Sequence, residues 1–178
     1  MRQVILYIAI SLDGYIAREN GDLDWLSLVE SPGEDYGYEA HLKTIDTVIM
    51  GRKTYEKVLS FGIPFPHKDR KCYVISNSKT GSDENVEFYN QPIEKLIAEL
   101  KAQEGKNIFI DGGAQLVNDM IKKDLIDLYT VSVIPTLLGQ GISLWQGKYS
   151  QLNLSLLSST SFPSGLVQLC YERKIRSN

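Results

Sequence analysis

Short apolar segments rich in β-branched and aromatic residues alternate with amphipathic segments through the first two thirds of the chain. Such an alternation predicts buried strands separated by helices, and it favours a parallel sheet with helices packed on it. The last third differs, because residues 152–175 alternate in polarity about a Pro163-Ser164-Gly165 turn, which predicts an antiparallel hairpin. We therefore expect an α/β fold with a mostly parallel mixed sheet and a C-terminal antiparallel hairpin at its edge. The predicted strands are residues 4–10, 47–50, 71–76, 86–89, 107–110 and 128–134, and the predicted helices are residues 36–43, 52–59, 93–102 and 115–122.

The size of the chain favours a single domain over residues 1–178. A hydrophobic fraction of 43% with 23% charged residues is typical of a globular protein that buries a core. No internal repeat, linker or low-complexity segment interrupts the pattern.

Charge and cysteine content disfavour several functional classes. The net charge is −3 and the basic residues are scattered, so we expect no nucleic-acid partner. The apolar start, residues 1–10, is too short for a signal peptide or a membrane span, so we expect no membrane partner. Cys72 and Cys170 lack metal-ligand spacing and suggest no disulfide framework, which predicts a metal-free protein of the reducing cytoplasm.

Three strand-to-turn junctions carry residues suited to an anionic ligand. In open α/β sheets, ligands bind at the carboxyl ends of strands, where helix N-termini offer free N–H groups. At the first junction, Arg52 and Lys53 follow Gly51 at a predicted helix start, where cations oppose the helix dipole. A bound anion would resolve that conflict; the alternative is a solvated basic pair.

The other two junctions are less specific. Gly112-Gly113 separates a strand from a helix and permits a phosphate close to the backbone, although Gly-Gly turns are common. Ser76-Asn77-Ser78-Lys79 ends another strand with hydroxyl and amide groups, which suit either a phosphate or an ordinary turn. No G-x-G-x-x-G follows the first strand, so the standard dinucleotide fingerprint is absent.

Taken together, these motifs resemble the dihydrofolate reductase superfamily, and most closely the C-terminal reductase domain of the riboflavin-biosynthesis deaminase–reductase (RibD) with its stand-alone relatives. The resemblance implies a three-layer α/β/α fold of the dihydrofolate reductase type. The motifs that carry it lie in order along the chain: residues 11–17, Asp24-Trp25, residues 50–56, residues 110–113, residues 125–129 and residues 134–141.

Carried over by position, the resemblance implies an NADPH site. Ala9 and Ile16 would flank the nicotinamide. The pyrophosphate and the 2′-phosphate side would be bound by Gly51, Arg52, Lys53 and Thr54. The adenosine phosphate would be reached by Ser76 and Asn77, and the central phosphates by Gly112, Gly113, Ala114, Gln115 and Leu116. The resemblance also implies a cis peptide bond between the two glycines.

Three residues are candidates for substrate contact and catalysis. Asp35 matches the carboxylate that anchors an amidine in dihydrofolate reductases, although an aspartate at a helix start also serves as a cap. Ser132 matches a pterin-side hydroxyl, and the alternative is a serine that faces water from an edge position. Asp111 departs from an apolar residue in many relatives, and it would either read a polar substrate group or face solvent.

The surroundings of Asp35 match folate enzymes poorly. Tyr36, Gly37 and Tyr38 stand where those enzymes place the residues that sandwich the aminobenzoyl group. A ribosylaminopyrimidine phosphate, by contrast, needs cations for its phosphate, and the nearby candidates are His41 and Lys43. His41 is more typical of a surface or helix-packing histidine than of a catalyst.

These observations leave three functional hypotheses. The first is an NADPH-dependent reductase of a pyrimidine- or pterin-like heterocycle by direct hydride transfer, similar to the riboflavin-pathway reductase. The second is a true dihydrofolate reductase, and the third is a non-catalytic nucleotide-binding module. The apolar segment 131–138, the tail strands and the riboflavin-type resemblance also predict a homodimer.

Overall fold

The computed structural model describes residues 1–174, so the end of the predicted tail, Ile175, lies outside the described residues. Its main feature is a nine-stranded sheet in the order β10-β11-β8-β1-β7-β3-β4-β6-β5, with a second, two-stranded sheet of β2 and β9. The strands are β1 Val4–Ser11, β2 Tyr15–Ala17, β3 Ile45–Gly51, β4 Lys71–Ile75, β5 Gly81–Ser82, β6 Glu87–Tyr89, β7 Asn107–Gly112, β8 Leu128–Ile134, β9 Ile142–Ser143, β10 Leu154–Ser161 and β11 Val167–Arg173. The helices are a 3₁₀ helix Asp24–Val29 and α1 Tyr38–Lys43, α2 Arg52–Ser60, α3 Ile93–Ala102 and α4 Ala114–Lys122.

The sheet is parallel in its centre and antiparallel at both edges. Strand β1 lies between β7 and β8, and β3 lies between β7 and β4, all in parallel. The hairpin β10–β11 joins the sheet antiparallel to β8, and β5 pairs antiparallel with β6. The expected fold class, a mostly parallel sheet closed by a C-terminal hairpin, is therefore confirmed.

Helices cover the sheet on both faces and make three layers. On one face, α3 buries Ile93, Leu96, Ile97 and Leu100, the stripe that its 3.6-residue periodicity predicts, in a core shared with α4. Each fully buried side chain of this size contributes roughly 1.5–3 kcal/mol. On the other face, α1 and α2 pack on a second cluster that contains Val48, Met50, Tyr55, Val74 and Phe109.

Four short elements were not predicted, and one of them, β5, pairs antiparallel with β6. The segment 11–24, expected to be a loop, contains β2, which pairs antiparallel with β9. The 3₁₀ helix Asp24–Val29 follows directly and buries Trp25 and Val29 against the sheet. These elements are two to six residues long, too short for a periodic pattern to identify. No helix among residues 1–174 has the length and apolar character that a membrane crossing requires.

Candidate active site

The three junctions identified in the sequence lie side by side at the carboxyl edge of the sheet. They follow β7, β3 and β4, which are adjacent strands, with Met50 in register with Gly112 and Gly51 in register with Ile75. Helices α2 and α4 begin immediately after β3 and β7, and no side chain caps either start. Two helix N-termini with free N–H groups therefore face the same edge, which suits phosphate groups.

The first two junctions touch through their glycines. A Cβ on Gly51 would lie 3.6 Å from the Gly113 nitrogen, and a Cβ on Gly113 would lie 3.1 Å from Thr54 Oγ1. The absence of side chains lets the two turns approach each other and leaves backbone exposed to a ligand. The Gly112–Gly113 peptide bond is cis, as the resemblance implied.

The cations of the first junction are exposed at the start of α2. Arg52 forms an i,i+4 ion pair with Glu56 at 2.8 Å. Lys53 forms no ion pair with any residue in the part of the chain that the structure describes. Because both side chains stand beside an uncapped helix start, an anion bound there would meet N–H groups and two cations together.

The third junction is organised by Ser76, whose hydroxyl accepts N–H groups of Ser78 at 3.3 Å and Lys79 at 3.1 Å. Ser76 is buried, whereas Asn77 is exposed. The hydroxyl of Ser76 thus holds the turn, and the exposed Asn77 amide is the group that faces solvent beside the other two junctions.

The remaining predicted cofactor residues divide between core and surface. Ala114 and Leu116 are buried in the core, so in this part of α4 only the backbone and the exposed Gln115 side chain are open to a ligand. Ile16 packs against the core cluster shared with α3 and α4. Ala9, on β1, packs instead against a different cluster, which contains Trp25, Val29 and Ile134.

A cavity of about 700 Å³ opens beside Ala9, at the ends of β1 and β8. Its floor is formed by Tyr7, Ala9, Ser132 and Ile134, and its rim by residues 30–32, 34 and 35. The walls are formed by aliphatic and aromatic side chains: Leu26, Val29, Tyr36, Tyr38 and Leu166. Since β1 is the neighbour of β7, the cavity and the glycine turns occupy adjacent parts of one sheet edge. Apolar walls around a few polar groups are typical of small-molecule sites.

The polar floor of the cavity is organised by Gln168, a residue that the sequence did not single out. The Gln168 Nε2 group lies 2.9 Å from Tyr7 Oη, 3.0 Å from the Tyr36 carbonyl and 3.1 Å from Ser132 Oγ. Ser132, only 5% exposed, accepts from Gln168 and donates to no described residue, so its proton is available to a ligand. Register places Gln168 opposite Ser132, and no local motif marks it.

Asp35 lies on the rim, where both carboxylate oxygens are used by the backbone. Oδ2 accepts the Glu39 N–H at 2.7 Å and Oδ1 accepts the Gly37 N–H at 2.9 Å. These two bonds, that from Glu39 first, hold the pKa of Asp35 below its ordinary value. Asp35 therefore accepts an N–H group of the first turn of α1, whose N-cap residue is Gly37, and presents an ionised carboxylate at the cavity, so the two interpretations of this residue are compatible.

Asp111 lies near the end of β7 and is not among the residues that line the cavity. Its Oδ2 lies 3.5 Å from Nε2 of the buried His67, and its side chain is mostly shielded from solvent. The carboxylate also contributes to a raised pKa of Tyr38, after burial, which is the larger cause. Asp111 thus lies outside the cavity, beside His67, and immediately precedes the glycine turn.

His41 and Lys43, the candidate cations for a substrate phosphate, are not positioned for that role. His41 stacks on Tyr7 with ring centroids 4.6 Å apart, and burial, then Arg70 and His67, lower its pKa to about 4. It is therefore neutral near pH 7 and packs inside the domain. Lys43 is exposed and forms an ion pair with Glu39 at 2.9 Å.

Asp13 connects the loop after β1 to the segment after β8 by hydrogen bonds. Its Oδ1 accepts from Ser11 Oγ at 2.5 Å and from the Leu138 N–H at 3.1 Å, and its Oδ2 accepts the Gly139 N–H at 2.8 Å. These bonds, with that from Ser11 the largest cause, lower the pKa of Asp13. Both segments belong to the motifs of the resemblance, but the sequence did not indicate that they touch.

The fold and the sheet-edge site define a dihydrofolate-reductase-like α/β domain. The family model for the RibD C-terminal domain matches residues 2–168. The chain is 45% identical over 173 residues to the uncharacterized protein YwjB of Bacillus subtilis, with 97% of this chain and 98% of YwjB covered. The chain therefore belongs to the RibD C-terminal domain family.

Solved structures agree with this assignment. A putative riboflavin biosynthesis protein from Shewanella superposes with a TM-score of 0.89 at 36% identity, covering 97% of this chain and 99% of that protein. The Thermotoga maritima diaminohydroxyphosphoribosylaminopyrimidine deaminase/5-amino-6-(5-phosphoribosylamino)uracil reductase superposes with a TM-score of 0.71 at 15% identity. This alignment covers 97% of the present chain and 57% of the longer enzyme, and at that identity it shows a shared fold.

Proposed function

We propose that the protein is an NADPH-dependent reductase that transfers hydride to a pyrimidine- or pterin-like heterocycle. The observation that carries the proposal is the cavity at the ends of β1 and β8, which adjoins the paired glycine turns on the same sheet edge. A cofactor bound along the turns would place its ring beside Ala9, at the cavity floor. Membership of a reductase family supports the same activity.

The residues present fit such a cofactor. Contacting glycines at Gly51 and Gly113 leave space that a Cβ would fill, next to two uncapped helix starts. Arg52, Lys53 and Asn77 would bind the phosphate at the 2′ position, and NADPH, when bound, supplies the hydride. The resemblance to the family favours NADPH over NADH at this junction.

The cavity residues would orient the substrate and exclude water. Ser132 would donate a hydrogen bond to a ring carbonyl or ring nitrogen, held in place by Gln168. Asp35, ionised at neutral pH, would pair with a protonated ring or amidine rather than act as an acid. Burial raises the pKa of Cys72 to about 12, which leaves it a thiol and favours direct hydride transfer over a covalent route.

The test is consumption of NADPH, followed by its near-ultraviolet absorbance, with a set of aminouracil and pterin substrates. Reduction of an aminouracil or a pterin other than dihydrofolate is the expected result. Turnover of dihydrofolate alone would identify a true dihydrofolate reductase. NADPH binding without oxidation, for every substrate in the set, would indicate a nucleotide-binding module.

We also propose that the chain forms a homodimer in the cytoplasm. Residues 131–134 of β8 are largely buried, but Leu137, Leu156 and Leu157 are 69%, 55% and 54% exposed. Leu156 and Leu157 lie on β10, the edge strand of the sheet. Exposed leucines on an unpaired edge favour a protein partner. The cytoplasmic location rests on the two free cysteines, Cys72 and Cys170.

A further inference from the structure

We infer that the substrate of this site is a heterocycle without a phosphate group. The inference rests on the proposed function, and it separates this protein from a reductase that takes a phosphoribosylated pyrimidine. Three observations support it: the cavity is lined by carboxylates, the backbone N–H groups beside it are already hydrogen-bonded, and nearby cations are already paired.

The cavity contains carboxylates and no cation. No lysine, arginine or histidine of residues 1–174 lines it, whereas Glu30, Glu34 and Asp35 form its rim. Its other polar side chains are hydroxyls, including the buried Ser132. A phosphate would therefore meet like charges in a partly desolvated site, and sites that bind phosphates supply arginine, lysine or free N–H groups instead.

The backbone N–H groups of residues 36–39, between the rim and the first turn of α1, are already bonded. The Tyr36 N–H donates to Glu34 Oε1 at 2.8 Å, and the Tyr38 N–H donates to the Asp35 carbonyl at 3.0 Å. The N–H groups of Gly37 and Glu39 donate to the Asp35 carboxylate. The N–H groups at the start of α1 are thus already bonded to oxygen atoms of Glu34 and Asp35.

Two cations near the rim and the 3₁₀ helix, Lys43 and Arg18, are already paired with carboxylates. Lys43 pairs with Glu39, and Arg18 pairs with Asp24 at 2.6 Å. Arg70 does not line the cavity, and it donates to the Leu42 carbonyl at 3.1 Å. His41, whose pKa is about 4, carries no charge near pH 7. A phosphate would have to displace Glu39 or Asp24 to gain Lys43 or Arg18.

An uncharged or protonated heterocycle matches the same features. A volume of about 700 Å³ is within the ordinary range for small-molecule pockets. Tyrosine and aliphatic walls suit a planar ring, and Ser132 offers one donor at the floor. The rim carboxylates would favour a ring that carries a proton or a positive substituent.

The test compares two ligands that differ only in the phosphate: 5-amino-6-ribosylaminouracil and 5-amino-6-(5-phosphoribosylamino)uracil. Isothermal titration calorimetry measures their Kd values in the presence of an oxidised cofactor, independently of turnover. We expect the unphosphorylated compound to bind at least about tenfold more tightly, the size of one charge-assisted contact. Equal or tighter binding of the phosphorylated compound would overturn the inference.

A charge reversal makes the comparison specific to the cavity. Glu30→Lys, whose side chain has no bonded partner among the described residues, should improve binding of the phosphorylated ligand about tenfold. Glu104→Lys makes the same change of charge in the exposed loop before β7. This loop lies at the amino end of β7, whereas the cavity lies toward the carboxyl ends of the strands, so both Kd values should stay unchanged. An equal gain in both variants would show a long-range charge effect and contradict the inference.

Failure of the proposed function gives a different result. If the protein binds the unphosphorylated ligand preferentially but no heterocycle supports oxidation of NADPH, the inferred specificity holds and the proposed reductase activity is wrong. A protein that reduces the phosphorylated compound with the higher kcat/KM would retain the activity and lose the inference.

Discussion

Arg52 and Asp35 carry opposite charges at the two parts of the candidate site, and each has a second, structural partner. Arg52 pairs with Glu56 on α2, and Asp35 accepts two N–H groups at the start of α1. Neither interaction excludes a ligand, because guanidinium and carboxylate groups have several hydrogen-bonding positions. At the scale of single residues, function is therefore separable from structure by measuring cofactor and substrate binding independently.

Arg52→Ala should weaken NADPH binding about tenfold or more, because a charge-assisted contact contributes roughly 1.5–3 kcal/mol. The affinity for NADH should change less, since NADH lacks the 2′-phosphate. Fluorescence titration of both cofactors measures the difference. Lys57→Ala is the matched control: it removes a cation from the C-terminal part of the same helix, where Lys57 pairs with Asp22. Equal losses for NADPH and NADH in Arg52→Ala would contradict the assignment of Arg52 to the 2′-phosphate.

Asp35→Asn should lower kcat/KM for the heterocycle roughly tenfold to a thousandfold, through loss of the charge that pairs with the ring. NADPH affinity should remain unchanged. The melting temperature should fall slightly, because asparagine keeps one acceptor oxygen where the carboxylate uses two. Normal turnover by the folded variant would show that Asp35 has only a structural role. Asp111 would then be the better candidate for the carboxylate that contacts a polar group of the substrate.

The lowered pKa of Asp35 also predicts a pH dependence. A depressed folded-state pKa stabilises the protein above the unfolded pKa of the carboxyl, and this contribution is lost as pH falls through the folded value. Wild type should therefore lose stability toward acid more steeply than Asp35→Asn. Thermal unfolding followed across the acidic range measures the difference, and parallel curves would contradict it.

At the scale of elements, the register between β8 and β11 builds the floor of the cavity. Gln168 lies directly opposite Ser132, and Ser132 lies opposite Ala9 on β1. Gln168, on the hairpin strand β11, thus contacts two residues of the cavity floor, Ser132 on β8 and Tyr7 on β1. A shift of one residue in the hairpin would turn Gln168 to the other face of the sheet.

Gln168→Leu tests this arrangement. The substitution removes the N–H groups near Tyr7, Tyr36 and Ser132, so we expect the protein to lose about 1–3 kcal/mol of stability. Because Ser132 would lose its orienting donor, KM for the heterocycle should rise while NADPH affinity stays unchanged. Gln151→Leu, an exposed change before β10, is the control and should leave KM at the wild-type value. An unchanged KM in folded Gln168→Leu would show that the amide has no positioning role.

For the whole molecule, one open edge of the large sheet carries exposed leucines. Strand β10 forms this edge, with Leu156 and Leu157 next to a register shift, whereas the small strand β5 forms the opposite edge. Edges of this kind are usually protected by charges or covered by a partner. The proposed homodimer would therefore use this edge of the sheet rather than the active site.

A dimer that uses β10 should separate when the edge carries charges. We expect light scattering to give two chains per particle for wild type, and one chain for Leu156→Lys combined with Leu157→Lys. Leu59→Lys, at the exposed end of α2, should remain dimeric. A wild-type particle of one chain at micromolar concentration would contradict the homodimer.

The strands, helices and glycine turns were predictable because they depend on short-range features: apolar periodicity, uncapped helix starts and paired glycines. The strand order that brings the three turns together was not predicted, because the motifs from Ser11 to Gly141 implied the type of fold alone. Asp35 and Ser132 were also identified from the sequence, and the structure places both at one cavity. Their roles in the reaction remain predictions.

Tertiary structure alone decided the partners and charges of the site. Gln168 meets Ser132 across 36 residues of sequence, and Asp13 meets Gly139 across 126. Such pairs depend on strand register and loop packing, which no local pattern encodes. Burial likewise made His41 neutral, and chain packing placed three carboxylates and no cation of residues 1–174 at the cavity, because the charge state and accessibility of a side chain depend on what packs around it.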